Sequence, residues 1–263
     1  MTDQPPRRSA SPALPASWTA LRRHTPARIA LGRSGFGLPT AAHLAFQAAH
    51  ARARDAVHAA LDAAAIMSEI GARGFEVMRV ESAAASRQAY LRMPDLGRTL
   101  SVESRARLSE PMLAPDVVIV VGDGLSSVAV ERNAVPVLEL LGRRVRDIGL
   151  RLAPIVVATG ARVALADEIG ELLQARLSVI LIGERPGLSA ADSLGMYLTF
   201  APRRGRLDSE RNCISNIHAA GMTAEAAAAR AVELIQSMLE QRASGVLLAA
   251  RACAPTVMTR ARP

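Results

Sequence analysis

Two loops in this sequence repeat the same order of residues, and each carries a carboxylate that a ligand could meet. The first is VVGDGLSS at 120–127, and the second is LIGERPGLSA at 181–190. In each, an aliphatic run ends in a glycine, which allows a sharp turn or the close approach of another backbone. Asp123 and Glu184 follow these glycines and are suited to accepting hydrogen bonds from ligand amides or hydroxyls. The alternative is that each carboxylate caps amides of its own loop, which fits the shorter Asp123 loop better.

A third polar stretch, RNCISNIHAAG at 211–221, is rich in turn-forming residues, and we expect it to be a loop that follows a strand. Its Asn216-x-His218-x-x-Gly221 differs by one residue from a DxHxxG motif in which histidine coordinates cobalt. That motif needs an aspartate to orient the imidazole, and this chain has asparagine in its place. We therefore expect His218 to be a surface or cofactor-edge residue, and no metal ligand is predicted.

Other motifs with known chemistry are incomplete. Gly122-x-Gly124 is followed by Ser127 where a dinucleotide-binding GxGxxG has its third glycine, and a GxxxxGK[ST] phosphate loop is impossible in a chain without lysine. Cys213 and Cys253 form no CxxC pair, which argues against zinc or dithiol redox chemistry and favours a cytoplasmic protein. A free-standing nucleotide-binding oxidoreductase is therefore a weak alternative.

The elements that must position these loops form an α/β pattern after Pro115. Asp116–Val121 is a β-branched run typical of a parallel strand buried on both faces. Strands and helices then alternate, which predicts a Rossmann-like, doubly wound and mostly parallel sheet. Ligands bind outside the carboxyl ends of such strands, where both repeated loops begin. The other predicted elements are strands at 154–159, 178–182 and 193–199, and helices at 126–141 (closed by Gly142), 161–176 and 223–241.

The chain before this pattern predicts two further segments. Residues 1–26 are proline-rich and predict a flexible arm that is held where Trp18 and Leu21 touch the body. Residues 27–112 predict a helical domain, and residues 113–263 form the α/β domain. The elements predicted in the helical domain are a helix at 40–65 with Thr40 as N-cap and an apolar stripe that includes Leu44, Ala48, Ala51, Val57 and Leu61, a strand at 75–80, and a helix at 82–93.

Composition narrows the class of partner without deciding it. The 263 residues carry a formal net charge of +8, and all 32 basic residues are arginine. Such charge makes a nucleic acid the first partner to consider, but only 3% of residues are aromatic, which leaves little surface for base stacking. Arginine pairs bidentately with carboxylates, so a protein partner with an acidic face is equally compatible. The apolar runs are too short to span a membrane.

Six segments, taken together, resemble the light chain of ethanolamine ammonia-lyase. They occur in order within about residues 19–249, and the combination of GERPGLS, DSLG and RNCISN is the most specific part of the resemblance. The segments are LGRSGFGLPT at 31–40, ESRARLSEP at 103–111, VVGDGLSSVAV at 120–130, LIGERPGLS at 181–189, DSLGMYLTFAPR at 192–203 and RNCISNIHAAG at 211–221.

The resemblance implies an enzyme that uses adenosylcobalamin to convert ethanolamine to acetaldehyde and ammonia by a radical mechanism. It implies a large subunit, a TIM barrel, that holds the substrate, while this chain caps the corrinoid and supplies no catalytic residue. The cofactor keeps its own dimethylbenzimidazole on cobalt, so no protein histidine is required. The implied complex is cytoplasmic, and the sequence leaves open whether it is enclosed in a bacterial microcompartment.

Matched position by position, the family's cobalamin contacts fall on Val163, Glu184 and Cys213. We expect Glu184 to accept hydrogen bonds from amides or hydroxyls of the cofactor and Val163 to form an apolar wall. Cys213 is expected to be a packing or weak hydrogen-bonding contact, because nothing beside it in the sequence marks an activated thiolate. The α/β pattern places all three on loops or helix starts at the carboxyl edge of the sheet.

Overall fold

The computed structural model describes residues 16–33, 35–110 and 113–252, and six strands within these ranges form one sheet. The strands are β1 (Val77–Glu81), β2 (Val117–Gly122), β3 (Ile155–Thr159), β4 (Leu177–Gly183), β5 (Leu194–Phe200) and β6 (Arg211–Ile217). Their order across the sheet is β1-β3-β2-β4-β5-β6. The first four of these are parallel, whereas β5 is antiparallel to both β4 and β6. The predicted mostly parallel α/β sheet is confirmed.

Helices cover both faces of the sheet. The helices within the described ranges are α1 (Ala16–Leu21), α2 (Thr40–His58), α3 (Ala63–Ala72), α4 (Arg87–Arg92), α5 (Val102–Leu108), α6 (Ser127–Asp147), α7 (Leu165–Leu172), α8 (Ala224–Gln241) and α9 (Gly245–Ala252). Two short 3-10 helices lie at Pro94–Arg98 and Asp208–Glu210. None of the helices within the described ranges has both the length and the apolar character needed to cross a bilayer.

The two layers of core follow from the alternation of side chains along β2. Val117, Ile119 and Val121 pack in the cluster that contains the buried side chains of α3, α6 and α8. Val118 and Val120 point to the opposite face and pack in the cluster that contains α7. Since successive side chains of a strand alternate between faces, an uninterrupted aliphatic run is what a strand covered on both sides requires. The doubly wound prediction is therefore confirmed.

The single helix predicted at 40–65 is wrong, because the chain forms two helices there. α2 ends at His58, and α3 begins after Asp62, whose side chain accepts a hydrogen bond from the amide of Ala65. A capping aspartate stabilises a new helix start, and it replaces continuation of the old helix. Thr40 is the first residue of α2 and not its N-cap, a position that Pro39 takes without a capping side chain.

The predicted apolar stripe of α2 is also wrong. The buried residues of this helix are Ala49, Ala53 and Ala56, whereas Leu44 is exposed. Small alanines allow the second half of α2 to pack closely on the body. The larger residues near its start, Leu44 and Phe46, are exposed.

Three further boundaries differ from the prediction. Gly142 lies inside α6, where a Cβ atom would come within 2.6 Å of the Phe75 ring, so the glycine makes room for that ring rather than ending the helix. The stretch at 211–217 is strand β6 and not a loop, because it pairs with β5. The predicted helix at 82–93 is the shorter α4, which begins after its cap, Ser86.

Strand β1 lies within the segment 27–112, which the sequence predicts to be a helical domain, yet it pairs with β3 in the common sheet. Residues 1–15 of the predicted arm, Pro111 and Cys253 lie outside the described residues. Trp18 and Leu21, within and at the end of α1, are each half exposed.

Candidate cofactor site

The two repeated loops lie side by side at the carboxyl edge of the sheet. The amide of Leu125 donates to the carbonyl of Gly183 (2.9 Å), and a Cβ atom at Gly183 would lie 2.0 Å from the carbonyl oxygen of Ser126. The glycine after β4 is thus required for the close approach of the loop after β2. α6 follows β2 on one face and α7 follows β3 on the other, so the crevice between β2 and β4 is the position where doubly wound sheets bind ligands.

Asp123, in the first loop, is a buried structural carboxylate. Its Oδ1 accepts hydrogen bonds from the amides of Ala161 (2.8 Å) and Gly124 (3.0 Å), and its Oδ2 lies 3.4 Å from the guanidinium of Arg87. Burial raises the pKa of Asp123, while the amides that point at it and Arg87 oppose that rise. The alternative that this carboxylate caps loop amides is confirmed.

Glu184, in the second loop, is half buried and differently bound. Its Oε2 accepts from the hydroxyl of Ser193 (2.5 Å) and more distantly from the amide of Asn216 (3.4 Å). Within the described ranges, Oε1 receives no hydrogen bond, so it remains available to a donor from outside the chain. Ser193 and Asn216 hold the Glu184 side chain in place through Oε2, and Oε1 can still accept a hydrogen bond.

A cavity of about 340 Å³ opens between the two loops, and it brings together two of the three predicted contact residues. Val163, in the turn between β3 and α7, and Glu184 both line this cavity. Leu125 and Ile182 add apolar wall, and Tyr197 of β5 supplies a phenol. A cavity with apolar walls and a few fixed polar groups is the usual form of a ligand site.

Cys213 lies one strand away from this cavity. The prediction of a loop position is wrong, since Cys213 is in the middle of β6 and pairs in register with Tyr197 of β5. Its side chain is exposed and lies next to that of Tyr197, because paired residues of neighbouring strands point to the same face. Burial of the sulfur raises the pKa of the thiol, the Tyr197 contact lowers it, and the charge of Glu184 raises it further. The thiol therefore stays protonated near neutral pH, as expected for a residue that is not a nucleophile.

A cluster around Tyr90 was missed by sequence reasoning. The guanidinium carbons of Arg162 and Arg87 lie 4.2 Å and 4.7 Å from the centre of the Tyr90 ring, and Tyr90 and Arg162 line the cavity. Burial raises the pKa of Tyr90 to about 12, opposed by Arg162 and Arg87 and assisted by Asp123. The Tyr90 hydroxyl and Arg162 Nε are buried without a hydrogen-bond partner among the described residues.

Nothing in the sequence could have found this cluster. Its members come from α4 and from the turn after β3, far apart along the chain, and neither stretch has a distinctive spacing. The only hint is that Tyr90 is one of two tyrosines. Buried unpartnered polar atoms of this kind are uncommon, and they mark a place where a ligand or water completes the bonding.

The motif around His218 is explained by the turn in which it lies. The side-chain oxygen Oδ1 of Asn216 lies 2.8 Å from Nε2 of His218, and Asn216 has a φ of +63°. A Cβ atom at Gly221 would lie 2.2 Å from the carbonyl oxygen of Asn216, so the glycine is needed to close the turn. His218 is half buried and does not line the cavity between the repeated loops.

Comparison with known proteins then identifies the family. The sequence model of the family "ethanolamine ammonia-lyase light chain" matches residues 15–249 of this chain. The chain belongs to this family. It is 53% identical over 242 residues to the ethanolamine ammonia-lyase small subunit of Azotobacter vinelandii, a match covering 90% of each chain. The small subunit of Pseudomonas syringae pv. tomato is 51% identical, covering 94% of this chain and 88% of the relative, and that of Rhodopseudomonas palustris is 54% identical, covering 87% and 88%.

Proposed function

We propose that this chain is the small subunit of an adenosylcobalamin-dependent ethanolamine ammonia-lyase, which converts ethanolamine to acetaldehyde and ammonia in complex with a large subunit. The observation that carries the proposal is that the matched contact residues lie at or beside one cavity. Val163 and Glu184 line this cavity at the switch point of the sheet, and Cys213 pairs in register with Tyr197, which lines the same cavity. Family membership supplies the reaction, and the cavity supplies a place for the cofactor.

The residues of the cavity fit the periphery of a corrinoid. The edge of that ring system carries amide groups, which both donate and accept hydrogen bonds. Glu184 Oε1 can accept from such an amide, and the unpartnered Tyr90 hydroxyl and Arg162 Nε can donate to one. At about 340 Å³ the cavity is smaller than a whole corrinoid. This chain would therefore hold one side of the cofactor and leave the other side to the large subunit.

The chain's own residues bind and orient the cofactor in this proposal. The bound cofactor supplies a cobalt–carbon bond whose homolysis starts radical chemistry. Val163 and Ile182 exclude water from the edge of the ring, and Glu184 fixes its rotation by accepting from an amide. Tyr197 of β5 and its neighbour Cys213 of β6 are uncharged groups that fill the space at this side of the cavity. No residue of this chain is assigned to the reacting atoms.

We also propose that the complex is cytoplasmic, either free or enclosed in a bacterial microcompartment.

Reconstitution from purified components tests this function. We expect the chain alone, and the large subunit from the same organism alone, to show no deamination of ethanolamine. Activity should appear only when both chains and adenosylcobalamin are combined, and the visible spectrum of cobalamin should co-elute with the complex. Deamination by the isolated chain, or a stable complex of both chains that retains no cobalamin, would contradict the proposal.

A further inference from the structure

Exposed large apolar side chains are concentrated in one stretch of the sequence. In a chain with one tryptophan and four phenylalanines, the tryptophan and two of the phenylalanines lie exposed between residues 18 and 46. We name the described residues of 16–58 the N-terminal surface. Its exposed large apolar residues are Trp18, Leu21, Phe36, Leu38, Leu44 and Phe46. Exposed aromatic residues in a group are typical of a binding surface.

The first half of α2 lacks the packing that normally stabilises a helix. No residue from Thr40 to Ala48 is buried, and Pro39 provides no capping side chain. Most of the stability of helices in proteins comes from packing one face against other elements. Leu44 and Phe46 are the large apolar residues of this half, and both face away from the core. Residues two apart on a helix point to different sides, so Phe46 lies on the side that faces Arg28, whereas Leu44 is an exposed apolar side chain on another side that a second surface can cover.

The charge of the same region indicates what kind of surface that is. Residues 16–58 contain six arginines, one aspartate and no glutamate, and so carry five of the eight net positive charges of the chain. Two copies of such a surface repel each other, which disfavours self-association. Arginine and aromatic residues together are the usual composition of the energetically dominant part of a protein interface. A partner with an apolar groove flanked by carboxylates fits this surface.

Arg28 connects the N-terminal surface to the candidate cofactor site. Its guanidinium donates to the carbonyl of Leu188 (3.1 Å), in the loop that carries Glu184, and lies 5.8 Å from the ring centre of Phe46 on α2. A partner seated on α2 is thereby placed beside the loop that lines the cavity. This is the position from which a second subunit could cover the other side of a bound cofactor.

We propose that the N-terminal surface docks onto the large subunit, in an apolar groove flanked by carboxylates. The proposal rests on the proposed function, because it presupposes a large subunit. Leu44 and Phe36 are its apolar contacts, and the arginines of this region form its charged rim. Docking at this surface would connect subunit assembly to cofactor binding, because Arg28 contacts both Phe46 of this surface and Leu188 of the loop that carries Glu184.

The test measures the affinity of the full chain for the purified large subunit. Leu44→Asp places a charge in the proposed contact, and we expect Kd to rise at least about tenfold. Phe36→Asp is a second variant that cannot disturb the core, because Phe36 is fully exposed. Val246→Asp is the matched control: Val246 is 65% exposed on α9, against 57% for Leu44, and its Kd should stay within about twofold of wild type.

The outcomes separate this inference from the proposed function. If the wild-type chain does not bind the large subunit, the proposed function itself fails. If wild type binds and both Leu44→Asp and Phe36→Asp bind equally well, only the docking surface is wrong. Concentration-dependent self-association abolished by Leu44→Asp would overturn the inference in favour of a second copy. Sequence-specific nucleic-acid binding at this surface would overturn it as well.

Discussion

The loops after β2 and β4 have nearly the same residues but different tasks. Asp123 points into the protein, where it accepts from the amides of Ala161 and Gly124 and faces Arg87. Glu184 stays half exposed at a cavity and keeps one oxygen without a donor among the described residues. The same order of glycine, carboxylate and Gly-Leu-Ser thus yields a structural support in one loop and a candidate ligand contact in the other.

The difference arises from the neighbours of each strand. β2 lies between β3 and β4, so the turn after β3 crosses over Asp123 and supplies the amide of Ala161. β4 is followed by an antiparallel hairpin to β5, in which Gly183 pairs with Leu194. The loop of Glu184 therefore runs outward and back, and among the described residues only the Ser193 hydroxyl and, more distantly, the Asn216 amide donate to its carboxylate. Position in the sheet decides which carboxylate is available to a ligand.

Removing the Asp123 carboxylate should have the largest effect on stability. Asp123→Ala leaves the buried amides of Ala161 and Gly124 without their acceptor and removes the charged partner of Arg87. Since each buried unsatisfied donor costs about 1–3 kcal/mol, we expect a loss of about 3 kcal/mol in the free energy of unfolding. Urea denaturation followed by circular dichroism measures it.

Asp123→Asn provides the control for this prediction. Its amide oxygen can still accept from both backbone amides, so most of the stability should return, although Arg87 loses its charged partner. Equal stability of Asp123→Ala and wild type would show that Asp123 does not support the loop, and the contrast with Glu184 would disappear.

Glu184→Gln should separate binding from stability. Glutamine can still accept from Ser193, so the free energy of unfolding should change by less than about 0.5 kcal/mol. Loss of the charge weakens a hydrogen bond to the cofactor, and we expect cobalamin affinity in the complex with the large subunit to fall about tenfold. Absorbance titration with cobalamin measures this affinity. Parallel loss of stability and affinity would assign Glu184 the same supporting role as Asp123.

Much of this arrangement follows from local sequence. The mainly aliphatic stretches at 116–121 and 178–182 could be assigned to buried strands because strands with one solvated face commonly alternate apolar and polar residues. The carboxyl edge could then be located, and with it Glu184 and the turn that holds Val163. These inferences depend only on residues near one another in the chain.

The remaining features depend on distant residues. β6 contains Asn212 and Asn216, which favour turns by type, yet pairing with β5 makes the stretch a strand. The Tyr90 cluster depends on contacts between distant residues. The break between α2 and α3 depends on the Asp62 cap, whose effect the spacing of apolar residues does not reveal. Asp123 and Glu184 could be predicted to lie at the same carboxyl edge of the sheet. The turn after β3, which crosses over Asp123 but not over Glu184, is what makes one carboxylate buried and leaves the other available.

The smallest expected effect concerns the pKa of Cys213. Burial raises the pKa of this thiol, the contact with Tyr197 lowers it, and the negative charge of Glu184 raises it. Glu184→Gln removes that charge, so the pKa of the thiol should fall, and alkylation at a fixed pH below it should become faster. Asp123→Asn should leave the pKa unchanged, because Asp123 acts on the other loop. The pH dependence of iodoacetamide alkylation, in a Cys253→Ser background, measures both variants. An equal shift in both would mean that the two carboxylates affect this edge of the sheet in the same way, against the division of tasks inferred from their contacts.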